Sequence, residues 1–129
     1  MSRPKILIVD DNPVALSLMR DTLELEESYE VLTTSDPREV LQLCREQLPD
    51  LVLMDLQMPK MDGYEVTRRL KADARTRDIP VVALTASRLS VEDMGRAMEA
   101  GCAGYLQKPV PRSLLLEAVQ RYLRRQTTR

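Results

Sequence analysis

The segment Leu51–Gly63 reads LVLMDLQMPKMDG, and it predicts one strand, one loop and the start of one helix. Leu51–Met54 is apolar at every position, which is typical of a strand buried on both faces of a parallel sheet. Asp55 follows this run directly, and Asp62 and Gly63 precede a segment of helical period. The segment therefore predicts a strand–loop–helix unit with an acidic residue at the carboxyl end of its strand.

The same unit recurs on both sides of this segment. The other apolar runs are Ile6–Val9, Val81–Leu84 and the weaker Gly104–Leu106, and the more polar run Tyr29–Thr33 predicts an edge strand. Helices are predicted to begin near Pro13, Ser35, Asp62, Ser90 and Pro111. Strict alternation of five strands and five helices predicts an α/β fold that is doubly wound, a (βα)5 domain with a five-stranded parallel sheet and helices on both faces.

Each predicted helix carries apolar residues along one face, the pattern of a helix packed on a core. From the first helix to the fifth, these residues are Ala15, Met19 and Leu23; Val40, Leu41, Cys44 and Leu48; Val66 and Leu70; Val91, Met94 and Met98; and Leu115, Val119, Tyr122 and Leu123. Gly95 lies within the fourth helix, where Gly costs about 1 kcal/mol relative to Ala. It indicates either a helix of low stability or a close contact with a neighbouring element.

A chain of 129 residues suits one compact domain, so we interpret residues 1–129 as a single domain with a core from about residue 4 to residue 123. The chain ends with the predicted fifth helix, so we expect no attached output domain. No apolar run approaches the roughly 20 residues that a membrane-spanning helix needs. The N-terminus has no signal-peptide pattern. We therefore expect a cytoplasmic protein without membrane attachment.

The composition excludes several classes of site. The chain has no His, which excludes His-based metal sites, Ser-His-Asp or Cys-His catalysis and a phosphohistidine carrier. It has no Trp or Phe and a net charge of −1, so we expect no direct binding of DNA or single-stranded nucleic acid. Cys44 and Cys102 form no Cys-x-x-Cys motif and are interpreted as small buried residues. The clustered arginines near the C-terminus are interpreted as favourable charges at a helix end: Arg121, Arg124, Arg125 and Arg129.

Polar residues follow four of the predicted strands where those strands end. They are Asp10 and Asp11 after the first strand, Asp55 after the third, Thr85 after the fourth and Lys108 after the fifth. Each alone has an ordinary explanation, such as a helix cap, a local hydrogen bond to backbone or a solvated lysine. Ligands of open α/β sheets bind at the carboxyl ends of the strands, so their joint occurrence at one edge favours a functional site.

The chemistry of this set is that of phosphoryl transfer to a carboxylate. Three neighbouring carboxylates repel one another unless a cation lies among them. Hard oxygen ligands of this kind suit Mg²⁺, which also binds phosphate oxygens. A carboxylate can attack phosphorus to give an aspartyl phosphate, and a metal ion and an ammonium group neutralise the charge of the transferred group. No histidine is needed for this chemistry.

Four segments carry a resemblance to a known family. They read ILIVDDN from Ile6, LVLMDLQMPKMDG from Leu51, VVALTA from Val81 and GYLQKPV from Gly104. Over about residues 4–123 the chain resembles the receiver domains of response regulators in two-component signalling. The resemblance implies a flavodoxin-like sheet of strand order 2-1-3-4-5. It also implies a phosphoprotein that receives its phosphoryl group from a sensor histidine kinase or a His-containing phosphotransfer protein.

The resemblance also implies the roles of the acidic residues. Asp55 is the phosphoacceptor. Asp11 and Asp55 bind Mg²⁺ directly together with the backbone carbonyl of Gln57, and Asp10 binds it through water. Thr85 hydrogen-bonds one phosphoryl oxygen after the transfer.

Further implied roles concern the ammonium group, the switch and the neighbouring loops. Lys108 pairs with another phosphoryl oxygen, and Tyr105 is the switch aromatic that turns inward in the active state. The fourth helix, fifth strand and fifth helix form the output surface for a downstream protein target. The loop residues implied by the family are Met58, Pro59 and Gly63, together with Pro109 after a cis Lys108–Pro109 bond.

Alternatives remain open at this point. The chain could be a stand-alone receiver or a receiver of a hybrid histidine kinase that acts as a phosphorelay intermediate. It could also be a receiver-like interaction module that works without phosphorylation. A haloacid-dehalogenase-type phosphatase is disfavoured because Gln57 occupies the position of its general acid. A nucleotide-binding module is disfavoured because no Gly-x-Gly-x-x-Gly or Walker-type loop follows the first strand. We therefore expect a protein that catalyses only its own phosphorylation and dephosphorylation.

Overall fold

The structure, a computed structural model, describes residues 3–58, 62–85 and 91–127. Its strands are β1 (Lys5–Val9), β2 (Glu30–Thr34), β3 (Leu51–Asp55), β4 (Val81–Thr85) and β5 (Gly104–Gln107). Its α-helices are α1 (Pro13–Glu24), α2 (Val40–Gln47), α3 (Gly63–Ala72), α4 (Val91–Ala100) and α5 (Arg112–Thr127), and a 3₁₀ turn (Pro37–Glu39) precedes α2. The five strands form one parallel sheet of order β2-β1-β3-β4-β5, so the predicted fold class and strand order are confirmed.

The continuous apolar runs are explained by two cores, one on each face of the sheet. Successive side chains of a strand point to opposite faces, so each strand contributes to both. One core joins the sheet to α2, α3 and α4, and it includes Leu7, Val9, Val52, Met54, Val66, Leu70, Ala97 and Ala100. The other joins the sheet to α1 and α5, and it includes Ile6, Ile8, Leu51, Leu53, Met19, Leu23, Leu115 and Val119. A strand covered on both faces has no position for a polar residue until it ends.

Capping residues start two of the helices beside the carboxyl edge of the sheet. The Asn12 side chain accepts hydrogen bonds from the backbone N–H groups of Val14 and Ala15 and so caps α1. The Asp62 side chain accepts one from the backbone N–H of Tyr64, at 2.8 Å, and caps α3. These caps satisfy backbone donors that have no partner within the helix. They fix where the loops after β1 and β3 end.

The predicted position of the edge strand is off by one residue. Tyr29 lies before β2, and Thr34 lies within it. The second predicted helix begins as a 3₁₀ turn at Pro37, one residue after its cap Asp36, and becomes α-helical only at Val40. The prediction that Leu48 belongs to the apolar face of this helix is wrong. Leu48 ends α2 in a left-handed conformation with φ 48°, and its side chain is exposed.

The predicted apolar stripe of the fourth helix is only partly buried, because Met94 is half-buried and the other two residues are exposed. Val91 is 81% exposed and Met98 is 53% exposed, whereas Ala97 and Ala100 are the buried residues of α4. These two small side chains belong to the core between the sheet and the helix, whereas Val91 and Met98 lie outside it. Ser90, the expected start of this helix, lies outside the described residues.

The close-contact explanation of Gly95 is wrong. A Cβ added at this residue would have no heavy atom within 4 Å outside its own helix and chain neighbours. The explanation that remains is a helix of low intrinsic stability.

None of the helices in the described part of the chain has the length and apolarity that crossing a bilayer requires.

Candidate functional site

Three carboxylates meet at the carboxyl edge of the sheet. Asp10 directly follows β1, Asp11 is the next residue, and Asp55 is the last residue of β3. The parallel register pairs Val9 with Met54, so the ends of these neighbouring strands lie side by side. One oxygen atom from each of the three carboxylates lies within 4.8 Å of the others. Asp10 and Asp55 are 0% and 2% exposed, whereas Asp11 is exposed.

The environment of Asp55 disfavours its charge. Burial raises the pKa of its carboxyl from 3.8 to about 6, and the neighbouring charge of Asp10 adds to this increase. Two contacts oppose the increase: the Gln57 backbone N–H donates to Asp55 Oδ1 at 3.0 Å, and the Lys108 ammonium lies nearby. At neutral pH the carboxyl is therefore ionised, but in an environment that favours an additional cation.

Lys108 supplies one positive charge to this cluster. Its Nζ donates to Asp10 Oδ2 at 2.9 Å and lies 3.5 Å from Asp55 Oδ2. Burial lowers the pKa of the ammonium, but the hydrogen bond to Asp10 and the charges of both carboxylates outweigh it, so the net change is upward. The Lys108–Pro109 peptide bond is cis, as predicted, and the Lys108 N–H donates to the Thr85 carbonyl.

Gly63 allows the loop after β3 to return close to its own strand. A Cβ added at Gly63 would overlap with the carbonyl oxygen of Asp55 and would lie 2.7 Å from the Cα of Leu56. The Gly63 N–H donates to the Leu56 carbonyl at 3.3 Å. Met58 is buried in the same loop, and Pro59 lies outside the described residues. The first turn of α3 is thus packed directly against the backbone of Asp55.

A cleft of about 460 Å³ lies beside the acidic cluster, between the loop after β3 and helix α4. Its lining residues are Leu56, Gln57, Met58, Asp62, Tyr64, Thr85, Asp93 and Arg96. Thr85 is buried at the end of β4, in register with Gln107 of β5. Tyr105 lies on β5 and is 42% exposed. The structure therefore brings Thr85 to the cleft that adjoins the site.

Two contacts of the site were not predicted from the sequence. Arg96 of α4 lies over the ring of Tyr64, with its Cζ 4.2 Å from the ring centroid. Asp10 is occupied on both oxygens, because Oδ1 accepts from the Asn12 N–H at 2.9 Å and Oδ2 from Lys108. Arg96 and Tyr64 are on different helices, and no motif or spacing connects them. The Asp-x-Asn pattern of residues 10–12 was a local signal for the second contact.

The donor set fits a divalent cation of the Mg²⁺ type. Three carboxylates and one ammonium leave an excess of negative charge, and all the offered ligand atoms are oxygen. Mg²⁺ prefers oxygen ligands and usually binds proteins through few carboxylates and several waters. Softer sulfur ligands are not part of this cluster: Cys44 and Cys102 are buried free thiols, as predicted, and burial raises the pKa of both.

The model of the response regulator receiver domain matches residues 6–120. The chain belongs to this family. The polar-differentiation response regulator DivK of Brucella anthropi is 41% identical over 118 residues, which cover 92% of this chain and 94% of DivK. The fold is therefore that of a receiver domain, a family of signalling proteins that are generally not classical enzymes.

Solved structures agree with this assignment. The chemotaxis protein CheY4 of Vibrio cholerae has a TM-score of 0.88 and 30% identity, over 94% of this chain and 99% of that one. The receiver domain of the sensor histidine kinase PA1611 from Pseudomonas aeruginosa has a TM-score of 0.85 and 34% identity, over 95% and 98% of the two chains. That structure has a magnesium ion coordinated in its active-site cleft. Receiver domains bind Mg²⁺ in the acidic pocket, and the cluster of Asp10, Asp11 and Asp55 corresponds to such a pocket.

Proposed function

We propose that this receiver accepts a phosphoryl group on Asp55 from a phosphohistidine of a sensor histidine kinase or a His-containing phosphotransfer protein. The observation that carries the proposal is the convergence of three carboxylates within 4.8 Å, with the Lys108 ammonium 3.5 Å from Asp55. Asp55 is the best candidate for the acceptor, because it lies beside Lys108, Asp10 and Asp11, and the next two residues, Leu56 and Gln57, line the cleft.

The reaction is a transfer from nitrogen to oxygen. A lone pair of an Asp55 carboxylate oxygen forms the new O–P bond while the P–N bond of the donor breaks. The electron pair of the broken bond leaves on the imidazole nitrogen, which takes a proton. A folded-state pKa of about 6 leaves the Asp55 carboxyl deprotonated at neutral pH, so it is ready to act as the nucleophile. The 129 residues contain no His, so none of them can be the phosphohistidine that donates the group.

Asp11, Asp55 and the backbone carbonyl of Gln57 would hold Mg²⁺ directly, and Asp10 would hold it through water. When bound, the ion supplies positive charge that offsets the repulsion between the carboxylates and the incoming phosphoryl oxygens. Asp10 suits an indirect role because both of its oxygens already accept hydrogen bonds. Asp11 suits a direct role because it is exposed at the open side of the cluster.

Lys108 and Thr85 would bind the phosphoryl group once it is on Asp55. Lys108 lies within reach of Asp55 and can exchange part of its contact with the carboxylate for a phosphoryl oxygen. Thr85 would move its hydroxyl toward another phosphoryl oxygen from the edge of the cleft. Because Thr85 ends β4 and Lys108 follows β5, the movement of these two residues on phosphorylation would change the ends of both strands.

The downstream target would bind the surface formed by α4, β5 and α5. The side chains of Val91, Met98 and Tyr105 are exposed there, which leaves apolar area available to a protein partner. When Thr85 moves toward the phosphoryl group, Tyr105 would turn inward from its present exposed position. The switch would thus change both the shape and the polarity of this surface.

A second candidate role is that of a phosphorelay intermediate. It is favoured by the similarity to the receiver domain of a sensor histidine kinase, at 34% identity. Such a receiver passes its phosphoryl group on to a second histidine. Chase experiments with candidate phosphotransfer proteins distinguish the two roles: rapid loss of label from Asp55 to such a protein supports the relay, whereas label that persists and increases target binding supports the stand-alone regulator.

The proposal is tested by incubating the protein with acetyl phosphate and Mg²⁺ and measuring the mass of the intact protein. The wild type should gain one phosphoryl group, and Asp55→Asn should gain none. Asp21→Asn removes an exposed carboxylate of α1 and should label like the wild type. Label should also vanish in excess EDTA. Equal labelling of Asp55→Asn and the wild type, or full labelling in EDTA, would show that the site is elsewhere.

A further inference from the structure

Arg96 of α4 contacts the two residues that flank Gly63. Its Cζ lies 4.2 Å from the centroid of the Tyr64 ring, and its Nη2 lies 3.9 Å from Oδ2 of Asp62. Tyr64 is buried, so the face of its ring is largely protected from water. Cation–π contacts of this kind favour Arg and are stronger where the ring is desolvated. One side chain of α4 thus contacts both sides of the first turn of α3, and the contact with the buried Tyr64 ring is the closer of the two to a desolvated interaction.

The first turn of α3 is in turn packed on the phosphoacceptor strand. Gly63 lies so close to the carbonyl oxygen of Asp55 and the Cα of Leu56 that no side chain fits between them. Its N–H donates to the Leu56 carbonyl at 3.3 Å. Asp62 adds to the rigidity of this turn, because its Oδ1 caps α3 while its Oδ2 faces Arg96. A contact path therefore runs from Arg96 through Gly63 to the backbone of Asp55.

In the part of the chain that the structure describes, helix α4 buries little apolar side-chain area. Its buried residues are Ala97 and Ala100, whose side chains are a single methyl group each. Gly95 presents open space, and Val91 and Met98 are exposed. An element that buries little apolar area is among the first to move. A specific polar contact on such a helix therefore has a larger effect on its position than the same contact on a well-buried helix.

We propose that Arg96 is a positioning residue that couples α4 to the geometry of the Asp55 loop. While its guanidinium holds Asp62 and Tyr64, Gly63 stays pressed against the Asp55 backbone. When α4 shifts, Arg96 leaves the Tyr64 ring and the loop loosens, and a change at Asp55 reaches α4 by the same contacts. This path does not pass through Thr85. The inference rests on the proposed function for its consequence in phosphorylation, but the coupling itself exists without a phosphoryl group.

The first experiment therefore uses the unphosphorylated protein. Amide hydrogen exchange is measured at Leu56 and Gly63 and along α4 in the wild type, Arg96→Ala, Arg96→Lys and Arg121→Ala. Arg121 is the matched control, because it is an exposed arginine that pairs with Glu117 of its own helix at 3.8 Å. Arg96→Ala should exchange about two- to fivefold faster at these amides, the loss expected for one exposed cation–π contact. Arg96→Lys should recover part of the protection, and Arg121→Ala should match the wild type.

The second experiment measures the rate of labelling by acetyl phosphate with Mg²⁺ and combines Arg96→Ala with Tyr64→Leu. If Arg96 acts through Tyr64, the double variant should label at the rate of the slower single variant, because removing either partner breaks the same contact. Tyr64→Phe keeps the ring and should label like the wild type. The melting temperatures of all variants are measured as well. If a general loss of stability slowed labelling, the labelling rates of Arg96→Ala and Arg121→Ala would fall in parallel with their melting temperatures.

Unchanged exchange at Gly63 in Arg96→Ala, or additive effects of the Arg96 and Tyr64 substitutions on the labelling rate, would refute the coupling. A wild type that takes no label would refute the proposed function instead. In that case the exchange at Gly63 alone decides whether Arg96 positions the loop.

Discussion

Asp55 combines a position that the fold disfavours with the chemistry that the site requires. A carboxylate at the end of a doubly covered strand is cut off from water, and burial raises its pKa to about 6. The same burial strengthens the attraction of the Asp55 carboxylate for Lys108 and for a bound cation, because electrostatic interactions are stronger where water is excluded. The fold therefore buries a carboxylate, and the desolvation penalty of its charge is offset only when a positive charge lies close by.

This cost predicts how the stability of the cation-free protein depends on pH. Between pH 3.8 and about 6 the folded protein binds more protons at Asp55 than the unfolded chain, so the free energy of unfolding falls as the pH rises through this window. Asp55→Asn cannot ionise and lacks this decrease. Its stability relative to the wild type should therefore be greater at pH 7.5 than at pH 4, by roughly 1–3 kcal/mol.

Denaturant unfolding in EDTA at both pH values measures the difference, with Asp21→Asn as the control that should show no such dependence. A variant that is equally stable relative to the wild type at both pH values would contradict the account of Asp55. The partner that Lys108 retains in Asp55→Asn is Asp10, at 2.9 Å, so the ammonium is not left without a counter-charge.

At the scale of elements, two glycines should respond in opposite ways to the same substitution. An added Cβ at Gly104 of β5 would overlap with the hydroxyl oxygen of Tyr122 and lie 2.7 Å from its Cζ, whereas one at Gly95 would enter open space. Gly104→Ala should destabilise the fold by about 1–3 kcal/mol through overpacking. Gly95→Ala should stabilise it by about 0.5–1 kcal/mol, because Gly in a helix costs that much relative to Ala.

Thermal unfolding of both variants tests the pair. Tyr122→Leu should recover part of the loss in Gly104→Ala, because it removes the atoms that the new methyl group meets. If Gly95→Ala and Gly104→Ala lowered the melting temperature by similar amounts, the space around the two glycines would not be what determines the effect of the substitutions.

Helix α4 shows why the amphipathic pattern alone did not identify which residues of the helix are buried. The sequence contains both an apolar stripe of Val91, Met94 and Met98 and a pair of alanines, and the stripe has the larger apolar area. The helix nevertheless buries Ala97 and Ala100, since small side chains let it approach the sheet closely. Periodicity identifies an apolar face, but which face meets the sheet depends on the space that α3 and β5, the elements packed beside α4, leave.

The structure of α4 predicts its behaviour in exchange. Amides of Val91–Ala100 should exchange faster than those of α1 and α5, because α4 buries only small side chains and contains Gly95. Phosphorylation should change this exchange if α4 belongs to the output surface. Gly95→Ala should slow the exchange and reduce the gain in target binding on phosphorylation. Protection equal to that of α1 and α5, unaffected by phosphorylation, would exclude α4 as a switching element.

At the scale of the whole molecule, the chain order carries most of the information about fold and site. Continuous apolar runs followed by polar residues are a local pattern, and in a parallel sheet that pattern places Asp10, Asp55 and Thr85 at one edge. The contacts of Arg96 with Tyr64 and of Tyr122 with Gly104 join elements far apart in sequence. They depend on how helices pack after the sheet has formed, and single-sequence patterns contain no record of that packing.

The proposed binding of Mg²⁺ at the acidic cluster would link the stability of the whole domain to the ion. A ligand that binds only the folded state stabilises it by an amount that grows with its concentration, about 2.7 kcal/mol at one hundred times the dissociation constant. The melting temperature of the wild type should therefore rise with added Mg²⁺. Asp11→Ala should lose most of this rise while folding normally without the ion, because Asp11 is a proposed ligand and its exposed side chain is not part of the core. Asp21→Asn should keep it in full. A rise in Asp11→Ala as large as in the wild type would show that the ion binds elsewhere, and the acidic cluster would then need another explanation.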